Sequence, residues 1–503
     1  MKKILFASLM VWIVSLFIFE IQCKDMFIKI KSVSLNQIET TQNYKTPQKE
    51  TKKDIKESNK KENKNVNVNI LLKNDNSSIF NNEIKVTGKK LSIYYGKNFR
   101  NKMENNSLKI TPNSDFFKKN NIVKIESTKD IKWIGHNEKN NSNKYNGILY
   151  IYKQKNNLIV VNKVNLEEYV AKVLSSEIGT DAPLEALKAQ AVCARTYILK
   201  QRKDKYKKYN AVADDSTDYQ VYNRIEANVN CKKAAYDTKN VVLKENGKLI
   251  NAYYFSTTCG FTTDYKIWGK EKKDYLQSVN LLYKKISENI TDNDSFEKFI
   301  KSKPGGYEKD YPYYRWNCTF TNEQIKNGIY NTFKENIGNI KSIEVNKRGQ
   351  GGIVSELMIN GSLKQIILKK QSEIRKVFAS PYVMLYLNAG NKISGISMLP
   401  SAFFHIEKIS EGYKVYGGGF GHGSGLSQNG AIAMAEQNMK YEDILKKFYK
   451  NVELVKYWLF NYQISWIKVF SHCFRIHFFV DFSSNKKDVD TKINPEHHNN
   501  NSS

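Results

Sequence analysis

The sequence predicts an α+β protein: short strands first, then a pair of helices carrying a corner, then a glycine-rich loop that opens another helix. Three observations predict this. Short β-prone runs (Ile84-Lys85-Val86, Leu91 to Tyr95, Ile148 to Tyr152, Leu158 to Val161) are separated by Asn, Gly and Lys turns. From Asn165 the apolar period switches to that of a helix. Finally, Gly417 to Gly430 reads GGGFGHGSGLSQNG, with six glycines in its first nine positions around His422.

The chain opens with Lys2 and Lys3 before an uncharged, mainly apolar run from Ile4 to Phe19. A basic start and an apolar stretch form the pattern of an export signal, slightly short for a spanning helix. Residues 1–23 therefore read as a signal peptide or a retained membrane anchor, and either places the bulk of the chain outside the cytoplasm, on the periplasmic or wall side. Residues 24–82 are rich in Lys and Asn, and Lys45 to Lys64 almost lacks apolar side chains. Such a composition buries too little to fold, so 24–82 is expected to be a disordered tether. A β-rich part follows over 83–163.

Residues 164–457 hold the helices and the loop. Asn165 with Glu168 resembles a capping box, and Leu166, Tyr169, Val170, Val173 and Leu174 share one face. The helix should stop near Gly179. A second starts after Asp181 with Pro183 in its first turn, and runs through Leu187, Ala191 and Ile198 to a basic end. Ala186, Ala189, Ala191 and Ala194 would let the two helices approach closely. Glu177 sits at the corner between them, at a helix C-terminus where the dipole disfavours a carboxylate.

In the glycine loop, Ser427 is placed to cap a helix through Ala431 and Ala435. No register of its glycines matches a dinucleotide fingerprint, no lysine completes a P-loop, and neither Ser424 nor Ser427 has the glycines of a nucleophile elbow. What remains is a shaped loop delivering His422 to the start of a helix. The net charge of +30 with pI near 9.5 reads either as solvated surface or as attraction to a polyanion. No arginine-rich helix, RNP motif or zinc-finger spacing accompanies it, so nucleic acid is not the expected partner. Six widely spaced cysteines form neither a metal framework nor a disulfide scaffold, though one disulfide remains open. Residues 458–503, aromatic and then polar, have no assigned role.

Four stretches together resemble the SpoIID/LytB (stage II sporulation protein D) family. They are VNLEEYVAKVLSSEIGTDAPLEALKAQAVCARTYILKQR from Val164, YFSTTCGFTTDYKIWG from Tyr254, YYRWNCTFT from Tyr313 and GGGFGHGSGLSQNGAIAMA from Gly417. The resemblance covers roughly residues 146–457. It implies a lytic transglycosylase acting on peptidoglycan glycan strands, or a wall-binding amidase enhancer without catalysis. It makes Glu177 the catalytic acid/base; Glu185, beside Leu184 and Leu187 on the outer face of the second helix, is the rival carboxyl. By the same resemblance Gln190, Arg195, Tyr197, Ser256, Trp268, His422, Ser427 and Gln428 are candidate substrate-binding residues. It further implies glycan strands, a cell-wall amidase or another envelope protein as partners. No cofactor is expected. Where some relatives place a metal-binding Cys and His, this chain has Asp214 to Gln220, so no metal is expected there. Glu177 is followed by Ile178-Gly179 where the family more usually has Met-Pro.

Overall fold

The computed structural model describes residues 66–74, 77–135, 144–201, 205–222, 225–269, 272–284 and 290–457. The expected leader, most of the tether and the 458–503 tail lie outside them. Strands β1 (Asn67–Leu72), β2 (Ile84–Tyr95), β3 (Asn101–Ile110), β4 (Ile122–Glu126), β5 (Ile131–Gly135), β6 (Ile148–Gln154) and β7 (Asn157–Asn165) form an antiparallel sheet. Its order is β3-β2-β4-β6-β7-β1, with β5 beside the first half of β2. The runs at 84–86 and 91–95 are one strand, interrupted by an irregularity between Thr87 and Leu91.

Two expected boundaries change. β1 falls inside the expected tether, yet it pairs with β7 over six residues, and Ile70, Leu71 and Leu72 are fully buried. The cause is local: in NVNILL, Val68, Ile70 and Leu72 alternate onto one core while Leu71 points to a second cluster with Ile159 and Tyr206. The division at 163/164 also disappears. Ile93 and Val160 of the sheet share one core with Tyr169, Val173, Leu187 and Ala194 of the helices.

β7 runs directly into α1 (Leu166–Glu177). Asn165 caps it as expected, its side chain accepting from the Glu167 N–H at 2.9 Å. Glu168 does not close a capping box; it accepts from the Tyr236 hydroxyl at 2.7 Å. Gly179 ends the helix at φ 93°, its N–H returning to the Leu174 carbonyl. α2 (Leu184–Lys200) follows, with Pro183 at its N-cap.

α2 is the central helix. Ala191 and Ala194 meet the core shared with α1, whereas Ala186 and Ala189 face a different cluster. The small residues therefore serve two neighbours, and the second is the helix of the glycine loop. Next come β8 (Ala213–Asp214), parallel to β1, then α3 (Val229–Asp237), β9 (Val241–Glu245), β10 (Lys248–Leu249) and β11 (Tyr254–Phe255).

The C-terminal half adds α4 (Asn293–Ser302), β12 (Trp316–Thr321), α5 (Asn322–Phe333), β13 (Ile340–Arg348), β14 (Val354–Gly361), β15 (Gln365–Leu368) and α6 (Gln371–Lys376). After these run β16 (Ser380–Leu387), β17 (Lys392–Ile396), β18 (Phe404–Ile409) and β19 (Gly412–Gly417). A five-stranded sheet has the order β17-β16-β12-β19-β18, and β13-β14-β15 form another. The loop after β19 leads to β20 (Leu426–Ser427), which pairs with β11, then α7 (Gln428–Glu436), α8 (Tyr441–Phe448) and β21 (Glu453–Lys456). Leu426, Ala431, Met434 and Leu445 pack on the Ala186–Ala189 side of α2. Among the described residues no helix is long and apolar enough to cross a membrane.

Candidate active site

Glu177 occupies the last turn of α1, half-buried. Its Oε1 accepts the Val221 N–H at 2.5 Å, and the Tyr254 hydroxyl also hydrogen-bonds to it. The Gln220 Nε2 donates to the Tyr254 hydroxyl at 3.0 Å, and the Tyr169 hydroxyl donates to the Gln220 Oε1 at 3.1 Å. Donor directions are fixed by these partners: Tyr254 accepts from Gln220 and so turns its own proton toward Glu177. Burial raises the Glu177 pKa, while the Val221 N–H and the Tyr254 hydroxyl pull it down; the net shift is upward. The negative end of the α1 dipole acts in the same direction as burial.

The arm that delivers Gln220 and Val221 is the Asp214–Gln220 stretch. Its carboxylates are occupied by protein groups. Asp214, fully buried, accepts from the Ser216 N–H and hydroxyl and the Tyr206 hydroxyl, and pairs with Lys73 at 3.3 Å. Asp218 lies 3.4 Å from Lys73 and 3.7 Å from Lys205. A cluster elsewhere, Glu297, His405 and Glu407, has metal-capable atoms close together, but Lys301 already ion-pairs with both glutamates.

An aromatic cluster gathers around Tyr253, the neighbour of Tyr254 in the chain. Tyr253 packs on Trp268 with ring centroids 4.7 Å apart, Trp268 on His422 at 5.3 Å, and Tyr197 edge-on to Tyr253 at 6.1 Å. Tyr197 links this cluster to the acid, since it lies within electrostatic reach of Glu177. β11 explains the two-sided arrangement: successive side chains alternate, so Tyr253 and Phe255 face His422 while Tyr254 faces Glu177. In the loop, Gly419, Gly421, Gly423 and Gly425 all have φ between 80° and 111°. Only glycine adopts that region freely, and the intervening Phe420, His422 and Ser424 are set in place by it.

The expected site residues divide into those the fold assembles and those it encloses. Glu177, Tyr197, Trp268 and His422 belong to one neighbourhood. His422 does not offer a free ring nitrogen, however. Its Nδ1 accepts the Ser424 N–H at 3.2 Å, which leaves the other nitrogen to donate to the Tyr254 backbone carbonyl. Burial pushes its pKa down to about 4, so at neutral pH it is an uncharged prop for Tyr254. Ser256 is half-buried, sharing a hydrogen bond with Thr257 at 3.0 Å, and its carbonyl accepts the Asn429 N–H.

Four of the expected residues are enclosed by the fold. Arg195 is fully buried; it pairs with Glu167 at 2.5 Å and donates to the carbonyls of Ala235 and Val241, so it ties α1, α2, α3 and β9 together. Ser427 is fully buried, donating to Glu308 at 3.0 Å while capping α7. Gln190 is fully buried, and Gln428 is nearly so. Packing of α2 against α7 removed these side chains from the surface. Glu185, the rival acid, is held by Lys188 at 2.9 Å and by the Tyr441 N–H at 3.0 Å. Burial raises its pKa, but these bonds outweigh it and the net shift is downward.

Sequence reasoning missed Val221, Gln220, Tyr254 and Tyr253, the immediate surroundings of Glu177. It also missed Glu308, a buried carboxylate that accepts from the Thr258 N–H and hydroxyl, both at 2.8 Å, and from Ser427. The one available signal was Tyr254 opening a motif already singled out. Cys193, Cys231, Cys259 and Cys318 are buried free thiols.

Comparison with known proteins finds relatives of this chain. The family described as "Stage II sporulation protein" matches residues 154–244, which include Glu177 and Gln220. A domain of unknown function (DUF8618) matches residues 262–425. An uncharacterised protein of Brachyspira hyodysenteriae is 30% identical over 324 residues, 63% of this chain and 74% of that one. The stage II sporulation protein D of Bacillus amyloliquefaciens is 28% identical over 311 residues, 58% of this chain and 75% of its own. The amidase enhancer of Bacillus subtilis is 29% identical over 308 residues, 57% of this chain, and the match spans 40% of the enhancer.

Proposed function

The chain belongs to the stage II sporulation protein D family, and from that premise we propose that it is an exported lytic transglycosylase of peptidoglycan glycan strands. The observation that carries this reading is Glu177: one half-buried carboxyl with a raised pKa, held by Val221 and Tyr254. Hydrolysis of a glycosidic bond ordinarily uses two flanking carboxyls. A transglycosylase that uses the substrate's own C6 hydroxyl as nucleophile needs one. The Glu177 carboxyl gives its proton to the glycosidic oxygen as the C1–O bond breaks. The carboxylate then takes the proton of the C6 hydroxyl as that oxygen bonds to C1. The ring closes as a 1,6-anhydro sugar, no water is consumed, and Glu177 ends protonated as it began.

Each neighbour has a part in this. Tyr254 and Val221 hold the carboxyl in place, and Trp268 and Tyr253 offer flat faces for a sugar ring. The basic start and apolar run of the N-terminus support this reading, since an exported enzyme would meet wall glycan outside the cytoplasm. The test is direct. Purified protein incubated with wall glycan should release anhydro-muramyl ends, detected by mass spectrometry. Glu177→Gln should lower the rate by about 10²–10⁴-fold with the fold retained, because an amide cannot deliver the proton. Undiminished turnover by that variant would move the catalytic carboxyl elsewhere. Similarity to the amidase enhancer favours a second reading, a wall-binding module that stimulates an amidase. That reading requires glycan binding without anhydro products.

A further inference from the structure

The β17-β16-β12-β19-β18 sheet buries one face, with Trp316, Phe320, Leu385 and Val415 in the core. On the other face its register aligns Lys392, Tyr386, Asn317, Tyr416 and His405 in one row across all five strands. α4 lies over the β18–β19 part of that row: Lys301 sits above the Tyr416 ring at 5.0 Å, and Glu297 reaches His405 at 3.6 Å. The β16 part is open. Tyr382, Met384 and Tyr386, at alternate positions of one strand, are 84%, 37% and 43% exposed. Single exposed apolar residues need no explanation, but a contiguous row of them marks an interaction surface.

Chemistry narrows the occupant. The strands β12, β16, β17 and β19 contain no acidic residue, and their charged side chains are Lys392 and Lys414. Each lysine lies over a tyrosine, Lys392 at 5.3 Å from the Tyr386 ring and Lys414 at 4.8 Å from Tyr416. The remaining outward groups, such as Asn317, Thr319 and Ser394, are small and polar. Flat aromatic rings between hydroxyl-bonding groups and cations suit a sugar polymer bearing carboxylates. An apolar protein interface would bring a larger unbroken patch.

The surface also continues into the candidate site. Tyr313, just before β12, stacks on Phe420 of the glycine loop with centroids 4.4 Å apart and planes 14° from parallel. The Gly419 N–H binds the Tyr313 carbonyl at 2.7 Å. The turn after β16 is tied to the same segment, the Asn388 N–H donating to the Arg315 carbonyl at 2.7 Å. Phe420 lies two residues from His422, so one loop borders both surfaces.

We propose that the open face of β16 and β17, joined by the Tyr313–Phe420 stack, is an extended subsite for an anionic polysaccharide strand. It holds sugars beyond those in the cleft and makes affinity depend on strand length. The inference rests on the glycan-acting reading above. Its test uses full-length Glu177→Gln protein, so that strands persist, with peptide-free glycan strands separated into short oligosaccharides and long chains. Long chains should bind more tightly than short ones. Tyr382→Ala with Tyr386→Ala should weaken long-chain binding about tenfold, a loss of one decade in Kd, and leave short-chain binding unchanged. Phe at both positions should restore the affinity, and unchanged melting confirms the fold. Short-chain binding with no advantage for long chains, or a double alanine variant indistinguishable from its parent, would overturn the subsite alone. Capture of a wall protein lost in that variant, with glycan binding intact, would also overturn it. Absence of binding to either length would remove the subsite and the glycan reading together.

Discussion

Glu177 feels opposed influences, and their balance sets the pH range in which it can act as an acid. Burial and the end of α1 favour the neutral carboxyl, whereas the Tyr254 hydroxyl and the Val221 N–H favour the carboxylate. Tyr254→Phe removes a donor to the charged form and leaves the ring in place. The Glu177 pKa should therefore rise further, and the alkaline limb of the pH–rate profile should move to higher pH. The maximal rate should fall, because the carboxyl is less firmly positioned. A profile superimposable on that of the wild type would mean that Tyr254 does not reach the acid. His422→Ala should move the same limb in the same direction, more weakly, since it releases the Tyr254 backbone. At this scale the sequence pointed to Glu177 through a motif within a continuous stretch. It could not point to Val221 or Gln220, which reach their partners only through folding, 44 and 34 residues away along the chain.

The helices α1 and α2 were legible because their signals are local: Asn165, Pro183 and Gly179 act on neighbouring backbone groups. Gly179 makes a specific case. Its φ of 93° is strained for any residue with a side chain, while a Cβ there would meet no atom within 4 Å. Gly179→Ala should cost about 1–2 kcal/mol through strain alone. Arg195 tests the interior of the same pair. The motif gives its residue type but not its facing, and so suggests a glycan contact. Since α2 is covered on several sides, Arg195 instead pairs with Glu167 in a buried setting. Arg195→Met strands that carboxylate and should destabilise the fold by about 3–5 kcal/mol, measured by denaturant unfolding. Replacing Glu167 by Gln in addition should recover part of the loss. A loss of activity with unchanged stability would return Arg195 to the cleft. The strands of the C-terminal half were less legible. Trp316 pairs with Leu387 on one side and Gly417 on the other, and no local period announces pairings so distant.

Across the molecule, the two halves meet where the glycine loop turns into α7, and Glu308 is buried at that joint. It receives the Thr258 N–H, the Thr258 hydroxyl and the Ser427 hydroxyl, so it fastens the second family-like motif to the cap of α7. Burial pushes its pKa up to about 7, against the pull of those three donors. An unfolded glutamate titrates near about 4.3. Between these values the folded state holds a proton that the unfolded state has released, so stability must fall as pH rises. The contribution is complete below about pH 4.3, declines through the acidic range and is lost above about pH 7. Glu308→Gln is neutral at every pH, and its amide can replace one acceptor if the Thr258 hydroxyl rotates. Unfolding free energies measured from pH 4.5 to 8 should show a decline in the wild type that is flattened in the variant. Parallel curves for the two proteins would mean that Glu308 is ionised throughout. The joint would then be held by a charged carboxylate rather than by one that loses its proton near neutrality.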